Sequence, residues 1–223
     1  NKLLDILSQL LDFERIDHSS MLPKIEAVPL KQIMDNLFTV FQPLCQQQQK
    51  TLHTSSIDCQ LGVWADPQLL NRILTNLLSN ALKYTPTGGK ISISVKTEAS
   101  KVKIIVSDTG IGISPKEQKK LFTSFFRASN AISSGTPGIG LGLLQAKRFA
   151  ALLKGDIKVS SVVNQGSEFT LILNRVIVTN SAISVTTPVM ERSVTTESTM
   201  PCDPDKDTLL IVEDNDELRL YMR

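Results

Sequence analysis

The sequence predicts an α+β fold, a two-layer sandwich of a mixed sheet of about five strands covered by about three helices. Three observations point there. Ile91, Ile93 and Val95 share one side of a period-2 stretch, and Val102, Ile104 and Val106 do the same in the next, so the two read as adjacent strands. Residues 67–84 place Leu69, Leu70, Ile73, Leu74, Leu77, Leu78 and Ala81 on one helical face. Strands and helices then mix along the chain, with neighbouring hairpins, rather than repeating a strict strand–helix–strand unit.

The elements follow in order. Residues 2–16 set Leu3, Leu4, Leu7, Leu10, Leu11 and Ile16 near helical spacing, with charges on the other face. A single such helix cannot bury its stripe and needs a partner. The main domain is expected at 21–175. Its first helix starts with Pro29 in the first turn and continues through Leu30, Ile33, Met34, Leu37, Phe38 and Phe41. Strands are expected at 51–57 and 63–65. Asp66-Pro67 is a helix start, with Asp to cap free amides and Pro at the first helical position. That helix ends at Thr85-Pro86 and Gly88-Gly89. After the hairpin, residues 114–138 form a long connection with one short helical stretch near 116–122, a length that usually marks function or mobility. A helix opens among glycines and runs to about Lys154, and strands near 156–161 and 168–173 close the domain. Residues 176–207 read as a Ser/Thr- and Pro-containing linker. A buried-type strand at 208–212 then leads to Glu213-Asp214.

Composition narrows the function. The 223 residues carry 24 Lys plus Arg against 22 Asp plus Glu, a net charge of +2, which argues against a nucleic-acid surface driven by bulk charge. Aromatics are only 5%, too few for stacking platforms. Cys45, Cys59 and Cys202 suit neither a disulfide framework nor a zinc site, and a reducing cytoplasm fits them. No apolar run approaches the roughly eighteen residues of a membrane span, and no signal peptide is evident. The chain opens at Asn1 and stops at Arg223 just after an element begins, so it reads as a fragment.

Three groups carry chemistry. Arg72, Asn76, Asn80 and Lys83 line one edge of the helix at 67–84. They form either a solvated helix edge or a polar pocket floor, where an Asn oxygen suits Mg²⁺ and Lys83 can meet a phosphate. Asp108 continues the register of Val102, Ile104 and Val106, so its carboxylate points to the buried face. It either caps a turn or accepts from an amino group such as that of adenine, and Gly110 and Gly112 beside it allow a tight turn. Gly138, Gly140 and Gly142 open a helix whose free amides form an anion site, although this spacing alone is weak and matches neither a P-loop nor a dinucleotide fingerprint.

Together these motifs resemble the ATP-binding catalytic domain of sensor histidine kinases, in the superfamily shared with gyrase, Hsp90 and MutL. Residues 76–86 (Asn-Leu-Leu-Ser-Asn-Ala-Leu-Lys-Tyr-Thr-Pro) look like the N box, and 108–113 (Asp-Thr-Gly-Ile-Gly-Ile) like the G1 box. Leu121-Phe122 with Phe125-Phe126-Arg127 is similar to the F box of the ATP lid. Residues 138–143 look like the G2 box, and 166–169 like the G3 turn. Gly135-Thr136-Pro137 departs from the usual Gly-Thr-Gly, and Pro137 would stiffen the lid hinge.

The resemblance implies ATP and Mg²⁺ as ligands. It implies Asn80 for the metal, Asn76 and Lys83 at the phosphates, Tyr84 against the base and Asp108 toward adenine N6. Gly110, Gly112, Ile113, Phe122, Leu141 and Ser167 would complete the pocket. Gly138, Gly140 and Gly142 would offer amides to the phosphates, and Arg127 would reach the terminal one. Asn76, Lys83 and Arg127 would then be the catalytic set. ATPase members carry Glu at the place of Asn76, and an amide cannot act as a general base, so transfer to an external nucleophile is favoured over hydrolysis. A superfamily ATPase and a non-catalytic nucleotide-sensing module are the alternatives.

Residues 1–20 resemble the end of the second helix of the family's dimerisation hairpin, whose first helix carries the phosphoacceptor His. His18 and His53 lack the motif's following acid and read as structural or surface residues. Residues 208–223 resemble the start of a receiver domain. The implied whole is a hybrid inner-membrane sensor, homodimeric through its hairpin, of which this is a cytoplasmic portion. The implied partners are that hairpin and a receiver domain, with no nucleic acid.

Overall fold

The structure, a computed structural model, describes residues 22–123, 126–133 and 140–178. The helix expected at 2–16, the linker beyond 178, the strand at 208–212, Gly138 and residues 135–137 lie outside the described residues. The elements are β1 (Glu26–Pro29), α1 (Leu30–Gln47), β2 (Thr51–Thr54), β3 (Leu61–Ala65), α2 (Pro67–Tyr84), β4 (Lys90–Glu98) and β5 (Lys101–Asp108). They continue with α3 (Pro115–Gln118), α4 (Ser129–Ser133), α5 (Gly142–Leu152), β6 (Asp156–Val162) and β7 (Gly166–Ile177).

The α+β class stands, with a mixed sheet of seven strands rather than about five. Its order is β1-β3-β7-β5-β4-β2, with β6 also paired to β7, and β2–β4 is the parallel pair. The strand missing from the sequence reading is β1. It is only four residues long, and its strand character comes from pairing Ala27 with Trp64 on β3. Pro29 therefore ends a strand and stands at the N-cap of α1 rather than within its first turn. β7 carries most of the sheet. Residues 167–174 pair with β5, 166–172 with β6 and 175–177 with β3. It runs past the 168–173 expected, to Ile177.

The apolar stripe of α2 is fully buried, with Leu70, Ile73, Leu74 and Leu77 each at 0% exposure. It packs between α1 (Met34, Leu37, Phe41), α5 (Ala146, Phe149, Ala150) and the sheet (Ile91, Ile93, Ile104, Leu171). Burial of aliphatic side chains at about 1.5–3 kcal/mol each makes this helix the best-anchored element of the fold. Its start matches the sequence signal, since the Asp66 side chain accepts from the amides of Gln68 and Leu69 and Pro67 follows. Its end is capped by donors from three residues. The Thr85 amide and hydroxyl serve the Ala81 carbonyl, the Lys50 ammonium serves that of Leu82, and the Ile111 amide serves that of Tyr84. The Leu82 carbonyl needs an outside donor because the residue four positions on is Pro86, which has no amide hydrogen.

Candidate nucleotide site

The secured end of α2 meets the end of β5 and the start of α5 around one cavity. Its walls include Asn76, Asn80, Lys83 and Tyr84 from α2, Asp108, Gly112 and Ile113 from the β5 end, and Arg127 from the connection to α4. Gly140, Leu141 and Gly142 before and in α5, and Ser167 of β7, close it. Of the expected site residues, these twelve share the cavity. Arg72 is exposed and outside it.

Two expected residues act from behind the wall. Gly110 donates its amide to Asp108 Oδ1 at 2.8 Å, and a Cβ there would lie 2.4 Å from the Tyr84 carbonyl oxygen. It shapes the pocket by letting two backbones touch. Phe122 is not a lining residue. Its ring lies under the Lys147 ammonium at 4.9 Å from the centroid and packs on the core, while Leu121 and Phe126 line the cavity in its place. Ser79, Ile111 and Phe169, which lie inside the motifs at 76–86, 108–113 and 166–169 but were given no role there, also line it, as does Asn130, which lies outside every motif. The helix near 116–122 is shorter than expected, ending at Gln118, and α4 is an addition.

The floor of the site is a half-buried acceptor. Burial raises the Asp108 carboxyl above the ordinary carboxylate range, an effect partly offset by the amides of Gly110 and Ser167. The glycine turn beyond it is held against the β6–β7 hairpin. Gly112 has φ +62, and a Cβ on it would lie 1.9 Å from the Val162 carbonyl oxygen. The Ile113 amide donates to Ser161 Oγ at 2.8 Å, and Gln118 Nε2 bridges the carbonyls of Ile113 and Ser161.

The opposite end is cationic and open to anions. Lys83 Nζ lies 5.3 Å from the Tyr84 ring centroid. Its ammonium is held below the usual lysine range, first by burial and then by the Arg127 guanidinium. An anion between these two cations would relieve both effects. α5 begins at Gly142 after Leu141, whose side chain makes no cap, and the amides of a helix's first turn have no acceptor within the helix. A Cβ on Gly142 would lie 3.6 Å from Asn76 Oδ1, an ordinary contact distance, so the helix start stands close beside that amide. An acceptor at an apolar end, and cations with helix amides at the other, fit a nucleoside triphosphate. The donor set also fits Mg²⁺ held mainly by phosphates and water. Asn80 offers one hard oxygen, and no cluster of three His, Cys, Asp or Glu side chains occurs among the described residues.

A family model described as histidine kinase-, DNA gyrase B- and HSP90-like ATPase matches residues 65–177. The chain belongs to this family. The match starts at the end of β3 and finishes with β7, so it contains every cavity-lining residue named above. Among curated relatives, the sensor-like histidine kinase SenX3 of Mycobacterium tuberculosis is 35% identical over 173 residues, covering 78% of this chain and 42% of the relative. The sensor histidine kinase RcsC of Escherichia coli K12 is 33% identical over 170 residues, covering 76% and 18%. The chain thus spans less than half the length of these relatives. Among solved structures, full-length ShkA in complex with AMPPNP aligns with a TM-score of 0.68 at 23% identity, covering 79% of this chain and 36% of that one. The catalytic domain of the histidine kinase ThkA aligns at 0.60 and 23% identity, covering 68% and 97%. The fold of this family member is that of a histidine kinase catalytic domain. Among the described residues, no helix is long and apolar enough to cross a membrane.

Proposed function

We propose that this chain is the ATP-binding catalytic core of a hybrid sensor histidine kinase, acting in a cytoplasmic part of a membrane sensor. The observation that carries the reading is the single cavity joining Asp108 at one end to Asn76, Asn80, Lys83, Arg127 and the start of α5 at the other. Asp108 accepts from adenine N6, and Tyr84 and Ile113 flank the base. Lys83, Arg127 and the α5 amides neutralise the phosphate chain. Asn80 supplies the protein oxygen to Mg²⁺, which when bound withdraws charge from the phosphate oxygens. A histidine nitrogen on the dimerisation hairpin attacks the γ-phosphorus as the bond to the β,γ-bridging oxygen breaks, and ADP leaves. The chain's own residues contribute positioning and charge, the main requirements of phosphoryl transfer. The phosphoryl group then passes to a receiver Asp.

Asn76 favours transfer over hydrolysis, because an amide cannot take a proton from water. The test combines the chain, a separately supplied hairpin carrying the acceptor His, and γ-labelled ATP. Acid-labile label on the hairpin is expected, and should fall at least about tenfold with Lys83→Met, the loss expected when one charge-assisted phosphate contact is removed. No label on the hairpin would overturn the kinase reading. Steady phosphate release without any acceptor would favour the ATPase alternative instead.

A further inference from the structure

Asn130 lies on α4 in the wall of the nucleotide cavity and is half-buried. Its Nδ2 donates to the carbonyl oxygens of Ile111 at 3.2 Å and Gly112 at 2.7 Å. Both partners can only accept, which fixes the amide with its nitrogen on the glycine turn and its oxygen directed elsewhere. That oxygen is buried and has no hydrogen-bond partner. A buried acceptor without a partner is costly, and such atoms persist where a ligand or an ordered water completes them.

The chemistry of the missing partner is constrained. It must be a donor. The ionised triphosphate of ATP has none, whereas the nucleoside half has the 6-amino group and two ribose hydroxyls. The 6-amino group carries two hydrogens, of which Asp108 accounts for one. The carbonyls that hold Asn130 belong to the same turn, three and four residues after Asp108. The latch thus ties the lid to the segment that reads the base.

We propose that Asn130 is a specificity-determining residue of this site. Its Oδ1 accepts a hydrogen bond from the nucleoside half of ATP, while its Nδ2 holds α4 against the glycine turn. The proposal rests on the reading of the cavity as an ATP site and adds a second acceptor to it.

The test measures affinities of the full chain and of Asn130→Ala for four ligands: ATP, purine riboside triphosphate, 2′-deoxy-ATP and 3′-deoxy-ATP. Loss of the latch weakens all four alike, so the diagnostic is the difference between ligands. ATP should lose about tenfold more affinity than the one analogue that lacks the recognised donor, the effect of one hydrogen bond. Purine riboside triphosphate as that analogue identifies the amino group, and a deoxy analogue identifies its hydroxyl. Asn130→Ser, which also shortens the side chain, gives an independent variant, with thermal melts as the control for folding. Equal losses on all four ligands would overturn the proposal and leave Asn130 as a latch alone. A wild-type chain that binds none of the four would overturn the ATP reading itself, a distinguishable failure.

Discussion

Gly166 and Asp108 touch backbone to backbone: a Cβ on Gly166, which holds φ +113, would lie 1.8 Å from the Asp108 carbonyl oxygen. The turn between β6 and β7 therefore sets the height of the residue that would read the base. Gly166→Ala forces both a disfavoured φ and a backbone shift, costing at least about 2 kcal/mol. Thermal unfolding should show this loss. ATP affinity should fall further than in Gly88→Ala, where φ is also positive but nothing lies within 4 Å of the new Cβ.

Asp108 predicts a pH dependence with an unusual sign. Its carboxyl is raised by burial, so above the ordinary carboxylate value the folded chain keeps a proton that the unfolded chain has lost. Its contribution to stability is present below the unfolded value and is lost as pH rises through the raised one. Binding an amino donor favours the ionised form, so ATP affinity should instead rise with pH over the same window. Asp108→Asn should flatten both slopes. Melts and titrations across that window check this, and an unchanged slope in the variant would remove Asp108 from the site.

Much of this was legible in the residues. The α2 stripe, the Asp66-Pro67 start and the register of Asp108 with Val106 are local signals, and each is where the sequence puts it. Asn76, Asn80 and Lys83 share a helix, so their common wall follows from spacing. β1 was not legible, because four residues gain strand character only from β3. Nor were Asn130 and Lys50, whose backbone carbonyl partners lie 18 or more and 32 residues away. Phe122 lies off the cavity wall for a related reason. An aromatic in a lid motif turned to Lys147, and the local pattern carries no record of that cation.

The connection from β5 to α5 contains an acid-sensitive tie. Glu117 accepts from Ser114 Oγ at 2.6 Å and from the amide and hydroxyl of Ser129 at 2.7 Å each, joining α3 to α4. These donors lower its carboxyl from 4.5 to about 2. The tie is therefore fully present above about 4.5 and is lost as pH falls through about 2. Amide exchange at Ser129–Ser133 should accelerate across that window while the α2 amides stay protected. Glu117→Gln should exchange quickly there at neutral pH and lose the acid step.

Lys50 provides the last prediction. It is only 8% exposed, and its ammonium donates to the Leu82 carbonyl at 2.6 Å and to Gln48 Oε1 at 2.7 Å. It supplies the hydrogen that Pro86 cannot, one residue before Lys83 and Tyr84. Lys50→Met keeps the aliphatic volume but strands the carbonyl, a loss of about 1–3 kcal/mol. Removing a buried cation returns part of that. The net expectation is about 1 kcal/mol of lost stability, or a Tm lower by about 2–4 °C. ATP affinity should fall as well, because the helix end that presents Lys83 loosens, and Lys50→Arg, with its own donors, should restore part of both. Burial holds the Lys50 ammonium below its ordinary value, so the unfolded chain binds the extra proton between the two values. Wild-type stability should therefore rise with pH through the lowered value, and that rise should vanish in Lys50→Met. A methionine variant equal to wild type in melting, affinity and pH slope would show that the α2 terminus holds without this lysine.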